Sequence, residues 1–237
     1  MRLDTQLVCG RLIRRYQRFL ADVELDDGTR VTAHCPNTGS MLGCRDPGSR
    51  VWLSPARDPK RRTRFTWELV EVSGGALVGI HTGRSNALVR EALEAGRIPE
   101  LSGFSDIRPE VRLNGRRSRI DFRLEWPQRP ACFVEVKNVT AAVTDGVALF
   151  PDAVSARGTR HLEELASLVR EGEGRAALVF CVQRNDVREV RPADEIDPAY
   201  GTALRAAMRD GVGVFALGAD ISPEEILLRS PLPVVCP

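Results

Sequence analysis

The stretch SRIDFRLEWPQRPACFVEVKNVT, residues 118–140, holds the residue types whose spacing points most directly to chemistry. Read as two strands, at 118–124 and 132–137 around a proline-containing turn, it puts Ile120, Phe122 and Leu124 on one face and Asp121 on the other. Val134 and Val136 alternate in the same way with Glu135 and Lys137. Paired as a hairpin, the strands set Asp121, Glu135 and Lys137 on one face at neighbouring positions. Two carboxylates a few ångström apart bind a hard divalent cation, Mg²⁺ (or Mn²⁺), through oxygen and leave the rest of its shell to water and a phosphate oxygen. A cation held in this way polarises phosphorus, and a neighbouring ammonium orients or acidifies the attacking water. This is the D…(D/E)-x-K arrangement of metal-dependent nucleases. The same residues on a solvated strand face, with the lysine neutralising the acids, form an ordinary exposed surface. Two features favour the site. Glu135 and Lys137 lie inside FVEVKNV, an apolar strand that reads as central, and Lys137 is one of two lysines, with Lys60, among thirty-four basic residues. Where arginine is otherwise the rule, a lysine marks a position that needs a compact ammonium on a flexible stem.

A further carboxylate would complete the metal site. Glu91, on the helix preceding the hairpin, is the first candidate, and Glu110 in PEVRL the second. In FPDAVSARGTRHLEEL, residues 150–165, Arg157, Arg160 and His161 flank the apolar stripe of a helix, where they either reach a phosphate or form a solvated helix margin.

The elements that position these groups are legible in the pattern. After position 84, Ser85 or Asn86 caps a helix with Val89, Ala92 and Leu93 inward and Gly96 at its end. Thr159 opens a second helix, whose Leu162, Leu165, Ala166 and Val169 repeat at helical spacing up to Gly172 and Gly174. Residues 176–182 read as a buried strand, Asp197-Pro198 as a cap with proline in the first turn of a helix running to Gly211, and 212–217 as a last core strand. Helix, hairpin, helix, strand, helix, strand predicts an α/β domain with a mixed sheet over residues 83–237.

Residues 1–82 read differently. Phe19, Ala21, Val23 and Leu25 alternate, Asp26-Asp27-Gly28 turns the chain into Val31, Ala33 and Cys35, and further alternating pieces follow at Val51 and Leu53 and at Phe65, Trp67 and Leu69. Gly74-Gly75 leads into a last strand at 76–80. Five or six short strands without helical period predict a small barrel, OB-like or SH3-like. Its loop at 57–64 (RDPKRRTR) is dominated by Lys60, Arg61, Arg62, Arg64 and Arg57, and Arg14, Arg15 and Arg18 interleave with Tyr16 and Phe19. Basic loops beside aromatics suit nucleic-acid backbone and stacked bases, although Trp67 reads as a core residue.

The 237 residues carry a net charge of +2, split between a basic first third (residues 1–84, +5) and a mildly acidic remainder (−3). With 43% apolar and 28% charged residues the chain is neither disordered nor membrane-spanning in composition. The first residues, which include Asp4, lack the apolar core of a secretion signal, and six scattered cysteines fit reduced thiols in a cytoplasm. His34, Cys35 and Cys44 have no second ligand pair for zinc. Walker, dinucleotide-binding and G-x-S-x-G motifs are missing, and no major-groove reading helix stands out. The oligomeric state is not encoded in any pattern of the sequence.

Beyond these local patterns, RYQRFLADV (15–23), HCPNTGSM (34–41), TWELV (66–70), SRIDF (118–122), EVKNVT (135–140), FPDAVSARGTRHLEEL (150–165) and LPVV (232–235) resemble the SfsA family, the sugar fermentation stimulation proteins, over nearly the whole chain. The resemblance implies an N-terminal OB domain followed by a restriction-endonuclease-like α/β domain of the PD-(D/E)xK kind. It also implies binding of single- or double-stranded DNA without sequence preference, and a link to sugar, particularly maltose, utilisation. Carried over by motif, SRIDF supplies Asp121, EVK supplies Glu135 and Lys137, and the RG-x-x-HL-x-EL segment supplies Arg157 and His161. Two functions remain open: a Mg²⁺-dependent DNA phosphodiesterase in which Arg157 and His161 steady the phosphate, and a non-catalytic DNA-binding regulator on a nuclease scaffold.

Overall fold

A computed structural model of the chain describes residues 1–3, 6–58, 60–113, 118–142 and 146–237; Asp4 and Pro59 lie outside them. The first half closes into a barrel. Strands β1 (Val8–Tyr16), β2 (Leu20–Leu25), β3 (Arg30–His34), β4 (Arg50–Pro55), β5 (Phe65–Glu71) and β6 (Leu77–Gly79) lie in the order β3-β2-β1-β4-β5-β6. Parallel pairing of Ala33 with Phe65 and of His34 with Thr66 joins β3 to β5 and closes five strands into the OB barrel. Ala21, Val23, Leu53, Trp67 and Val70 fill it, each shut off from solvent. Gly10 in β1 is required by close approach, since a Cβ there would sit 2.5 Å from the carbonyl oxygen of Glu24 on β2.

The second half is built on a six-stranded mixed sheet. Its elements in chain order are α1 (Ser85–Glu94), β7 (Asp106–Arg112), β8 (Arg119–Trp126), β9 (Arg129–Val139), β10 (Gly146–Phe150), α2 (Ala156–Arg170), β11 (Arg175–Val182), β12 (Val187–Pro192), α3 (Pro198–Arg209), β13 (Gly213–Ile221) and β14 (Ile226–Leu232). The sheet order is β14-β13-β11-β9-β8-β7, with β9, β11 and β13 mutually parallel; β10 and β12 form a separate parallel pair. Along β11 the side chains divide by parity. Ala177, Val179 and Cys181 join one apolar layer with Leu88, Val89, Ala92 and Leu93 of α1, and Leu178, Phe180 and Val182 join the other with Leu162, Leu165 and Leu168 of α2 and Leu204 of α3. A strand buried on both faces reads as a continuous apolar run, as this one does.

Several elements differ from expectation: α1 starts at Ser85 with Arg84 in the cap position rather than being capped by Ser85 or Asn86, and β10, β12 and β14 add to the expected strands. Helix α2 starts at Ala156 rather than Thr159, because Ser155 is the better cap: its hydroxyl accepts from the Gly158 amide at 3.0 Å. Strand β7 is absent from the expected elements because its weak alternation (Ile107, Pro109, Val111) includes a proline and is set among four charged residues. It is an exposed edge, carrying Pro109 and a left-handed Glu110. Among the described residues no helix is long and apolar enough to cross a membrane.

Barrel and sheet share a core. Trp52 and Leu69 of the barrel pack in the same layer as α1, β11, β13 and β14, and the Gly79 amide donates to the Gln183 carbonyl at 2.9 Å. Leu69→Ala is therefore expected to cost about 2–5 kcal/mol and to destabilise both halves together. Urea unfolding followed by tryptophan fluorescence and by far-UV circular dichroism should give coincident transitions; separated transitions would show that the halves unfold independently.

Candidate functional site

Strands β8 and β9 pair as the expected hairpin, with Phe122 opposite Val134, Arg123 opposite Phe133 and Leu124 opposite Cys132. One step further along this register sets Asp121 against Glu135. The Asp121 carboxylate is fixed from two sides: Oδ2 accepts from the Val136 amide and Oδ1 from the Asn86 side chain of α1, both at 2.8 Å. Glu135 is only 3% exposed. Its Oε1 accepts from Lys137 Nζ at 2.7 Å and is in hydrogen-bond contact with His161 Nδ1 of α2. The other oxygen, Oε2, is buried with no partner among the described residues. Arg157, one turn before His161, donates from Nε to His161 Nε2 at 3.4 Å. Behind Lys137, the Asn138 side-chain oxygen accepts from Ser85 Oγ at 2.9 Å and from Gln183 Nε2 at 2.6 Å, tying the start of α1 to the ends of β9 and β11.

The two acids are pushed in opposite directions. Burial, then the negative charge of Glu135, raises the Asp121 carboxyl above the usual carboxylate range against the Val136 and Asn86 hydrogen bonds. Burial also works against ionisation of Glu135, but the His161 contact and the Lys137 ammonium outweigh it and hold that carboxyl below its ordinary value. A bare buried oxygen beside a carboxyl that resists ionisation is what a divalent cation would relieve, so these residues fit one. Among the described residues no group of three or more His, Cys, Asp or Glu side chains is poised for a metal. In such a shell the protein would supply the two carboxylates, as hydrated Mg²⁺ accepts.

The remaining expected residues are distributed as follows. Glu91 does not join the site: it is half-exposed and paired with the Met1 amine at 2.8 Å. It lies five residues beyond Asn86, on another face of α1, and Asn86 is the residue of that helix that reaches Asp121. Glu110 sits on the exposed edge strand, 4.0 Å from Arg119. His161 is buried, with both ring nitrogens engaged, so it orients Glu135 rather than steadying a phosphate. Arg157 and Arg160 are exposed.

In the barrel, Arg14 is paired with Asp22 at 2.8 Å and lies over the Tyr16 ring. Arg15 is structural, its Nη2 donating to the carbonyls of Arg18, Asn37 and Gly39 at 2.7–2.9 Å. Arg18 is exposed and its carbonyl serves that contact. Lys60, Arg61, Arg62 and Arg64 are exposed, with Arg61 bonded to Thr66 Oγ1 at 3.2 Å. Trp67 is fully buried and donates to the Leu69 carbonyl, so it offers no stacking face; Phe19, 47% exposed, does. Sequence reasoning missed Asn86 and Asn138 as site residues. Their one available signal was the capping pattern Ser85-Asn86 and the Asn directly after Lys137.

A closed OB barrel packed on a mixed sheet, with Asp, Glu-x-Lys and a helix-borne His-Arg pair gathered at one strand hairpin, defines a two-domain α/β class with an acidic, cation-suited centre. The chain belongs to the sugar fermentation stimulation (SfsA) family: residues 13–80 match the SfsA N-terminal OB domain and residues 83–225 the sugar fermentation stimulation protein RE domain. It is 62% identical to the sugar fermentation stimulation protein homolog of Alkalilimnicola ehrlichii, with 100% of each chain covered. The homolog of Thioalkalivibrio sulfidiphilus is 59% identical, over 99% of this chain and 98% of that one. Pyrococcus furiosus SfsA, solved in complex with Ca²⁺, superposes with a TM-score of 0.87 at 30% identity, covering 99% of this chain and 98% of that one.

Because the folded state holds Asp121 protonated to a higher pH than the unfolded chain does, ionising it costs stability as pH rises through the carboxylate range. Asp121→Asn is accordingly expected to raise the thermal midpoint near pH 7 in EDTA, with the gain shrinking as pH falls towards 4. A variant less stable than the wild type at neutral pH would contradict the assignment.

Proposed function

We propose that this protein binds DNA, single- or double-stranded and without sequence preference, and hydrolyses phosphodiester bonds with Mg²⁺ (or Mn²⁺) held by Asp121 and Glu135. The observation that carries this reading is the unpartnered, buried Oε2 of Glu135 next to an Asp121 carboxyl that resists ionisation, with the Lys137 ammonium 2.7 Å from the other oxygen of Glu135. The Ca²⁺ complex of Pyrococcus furiosus SfsA supports a site for hard cations in this family. When bound, such a cation supplies Lewis acidity to phosphorus and acidifies its water.

The chain's own residues do the rest. Lys137, 13% exposed and fixed on Glu135, presents its remaining ammonium hydrogens at the site, where they hold the attacking water or an anionic phosphoryl oxygen. Arg157 uses Nε for His161 and has no other partner among the described residues, which leaves its terminal nitrogens for a phosphate oxygen. The exposed Lys60, Arg61, Arg62 and Arg64 neutralise backbone phosphates, a term that reads no sequence and weakens with salt. The cytoplasm as the site of action is supported by six free cysteines, four of them buried.

A second reading, a DNA-binding regulator of sugar (maltose) metabolism without cleavage, is favoured by one observation: Glu91, the expected third carboxylate, is spent on Met1.

The deciding experiment incubates purified protein with single- and double-stranded DNA in Mg²⁺, Mn²⁺ or EDTA, beside Lys137→Ala. Metal-dependent cutting should fall at least about 10²-fold in the variant while DNA retardation persists; cutting that survives in Lys137→Ala sinks the assigned site. Retarded but uncut DNA in every lane leaves the regulator reading. Replacing Arg61, Arg62 and Arg64 together by Ala should weaken binding and lower the slope of log affinity against log salt by about one per residue. An unchanged slope moves the DNA site away from the barrel.

A further inference from the structure

The two oxygens of Glu135 are treated unequally. Oε1 takes both the Lys137 ammonium and the His161 ring, and Oε2 takes nothing among the described residues. Whether the His161 contact is attractive depends on which ring nitrogen carries the proton. Arginine Nε is always a donor, and that of Arg157 lies 3.4 Å from His161 Nε2. Nε2 is then the accepting nitrogen; a ring protonated there would set two donors against each other. The imidazole proton is left on Nδ1, where it donates to Glu135 Oε1.

We propose that Arg157 and His161 are positioning residues: Arg157 on Nε2 and Glu135 on Nδ1 together hold the His161 ring in its Nδ1–H tautomer and orientation, His161 and Lys137 together saturate Oε1, and Oε2 is thereby the oxygen presented to a divalent cation. Only the last step rests on the cation-dependent function proposed above; the tautomer stands without it.

The local structure is built to hold this chain of contacts still. Arg157 and His161 are four residues apart at the start of α2, on one face of the helix. Ser155 caps that first turn, and the Asp197 carboxylate ties the starts of both helices, accepting from Ser155 N at 2.8 Å and from Tyr200 N of α3 at 3.0 Å. Gly158 lies between the two key residues, and the Tyr200 ring comes within 3.2 Å of where its Cβ would be. A side chain at 158 would also meet the capping Ser155 hydroxyl at 2.9 Å, so the small residue lets the cap and the Tyr200 ring close on this turn. At 3% exposure, with both nitrogens used, His161 has no free nitrogen for a phosphate.

The test needs no turnover. The chain has three histidines, and two-bond ¹H–¹⁵N correlation spectra of labelled protein in EDTA distinguish Nδ1–H from Nε2–H, with His161→Asn assigning the resonances. The wild type should show His161 as the Nδ1–H tautomer, and Arg157→Ala should keep that tautomer, which the Glu135 carboxylate still demands, while its His161 signals shift or broaden as the ring loses its second anchor. Calorimetric titration with Ca²⁺ and Mn²⁺ then reads the consequence. Arg157→Ala and His161→Ala should each weaken binding by about ten- to hundredfold. His161→Asn, which keeps a donor at the Nδ1 position and has no nitrogen for Arg157 to select, should stay within a few-fold of wild type, and adding Arg157→Ala to it should cost nothing more. An Nε2–H or doubly protonated His161 in the wild type overturns the positioning role even if cations bind. Equal affinity of the wild type, Arg157→Ala and His161→Ala does the same. The expected tautomer in a wild type that binds neither cation overturns both the assignment of Oε2 and the metal-dependent function, and leaves the tautomer lock standing.

Discussion

A carboxylate buried in the middle of a sheet, Glu135, is the constraint around which the second half of the molecule is arranged. An ionised group taken out of water costs several kilocalories per mole unless charged and hydrogen-bonding partners replace the lost solvation. Here the partners come from two elements, Lys137 from its own strand and His161 from α2, and both land on one oxygen. Asp121 is stabilised by a neutral side-chain amide and a backbone amide instead, which is why its carboxyl moves up while that of Glu135 moves down. Two neighbouring acids whose environments separate their protonation behaviour are the arrangement on which the proposed function draws.

The topology explains why such a site forms at this place. Strand β9 lies near the centre of the sheet, parallel to β11 on one side and antiparallel to β8 on the other, so its far end is where the strand direction of the sheet changes. The first turns of α1 and α2 both open on to it, the former through Ser85 and Asn86 and the latter through Arg157 and His161. The rigid part of the site is thus made of strand and helix starts, with loops confined to its rim.

Much of this is legible in the order of residues alone. Strand alternation dictates the hairpin and its polar face, because a period of two on a half-buried strand leaves little freedom of register. The double-sided apolar run at 176–182 identifies a central strand, and the Asp-Pro pair locates the start of α3 to the residue. The expectations that fail share one cause, that partnership across distance leaves no local pattern. Glu91 has the right residue type on the correct helix, but the turn angle of an α-helix carries it away from Asn86 and the sheet. Arg15 reads as a surface cation in sequence, yet three carbonyls from two loops depend on it. Strand β7, paired to β8 and touching the core through Ile107, is too charged in its own composition to announce itself.

The segment HCPNTGSM carries family likeness away from the acidic centre, and the structure gives it a mechanical task. The Pro36 carbonyl accepts from Thr82 at the barrel's exit, those of Asn37 and Gly39 accept from Arg15, and Ser40 and Met41 bond Asp152 just ahead of α2. Beyond it, Cys44 donates to the Thr140 carbonyl at the end of β9. The barrel is therefore latched to the strand and the helix that supply Glu135, Lys137 and His161, in addition to sharing their apolar layer through Trp52 and Leu69. A basic loop on a barrel joined by a flexible linker would raise local concentration of a polyanion and nothing more. On a latched barrel its separation from the acidic centre is set by the fold, which is what the proposed function requires if a nonspecific backbone grip is to present phosphates repeatedly at one chemical site.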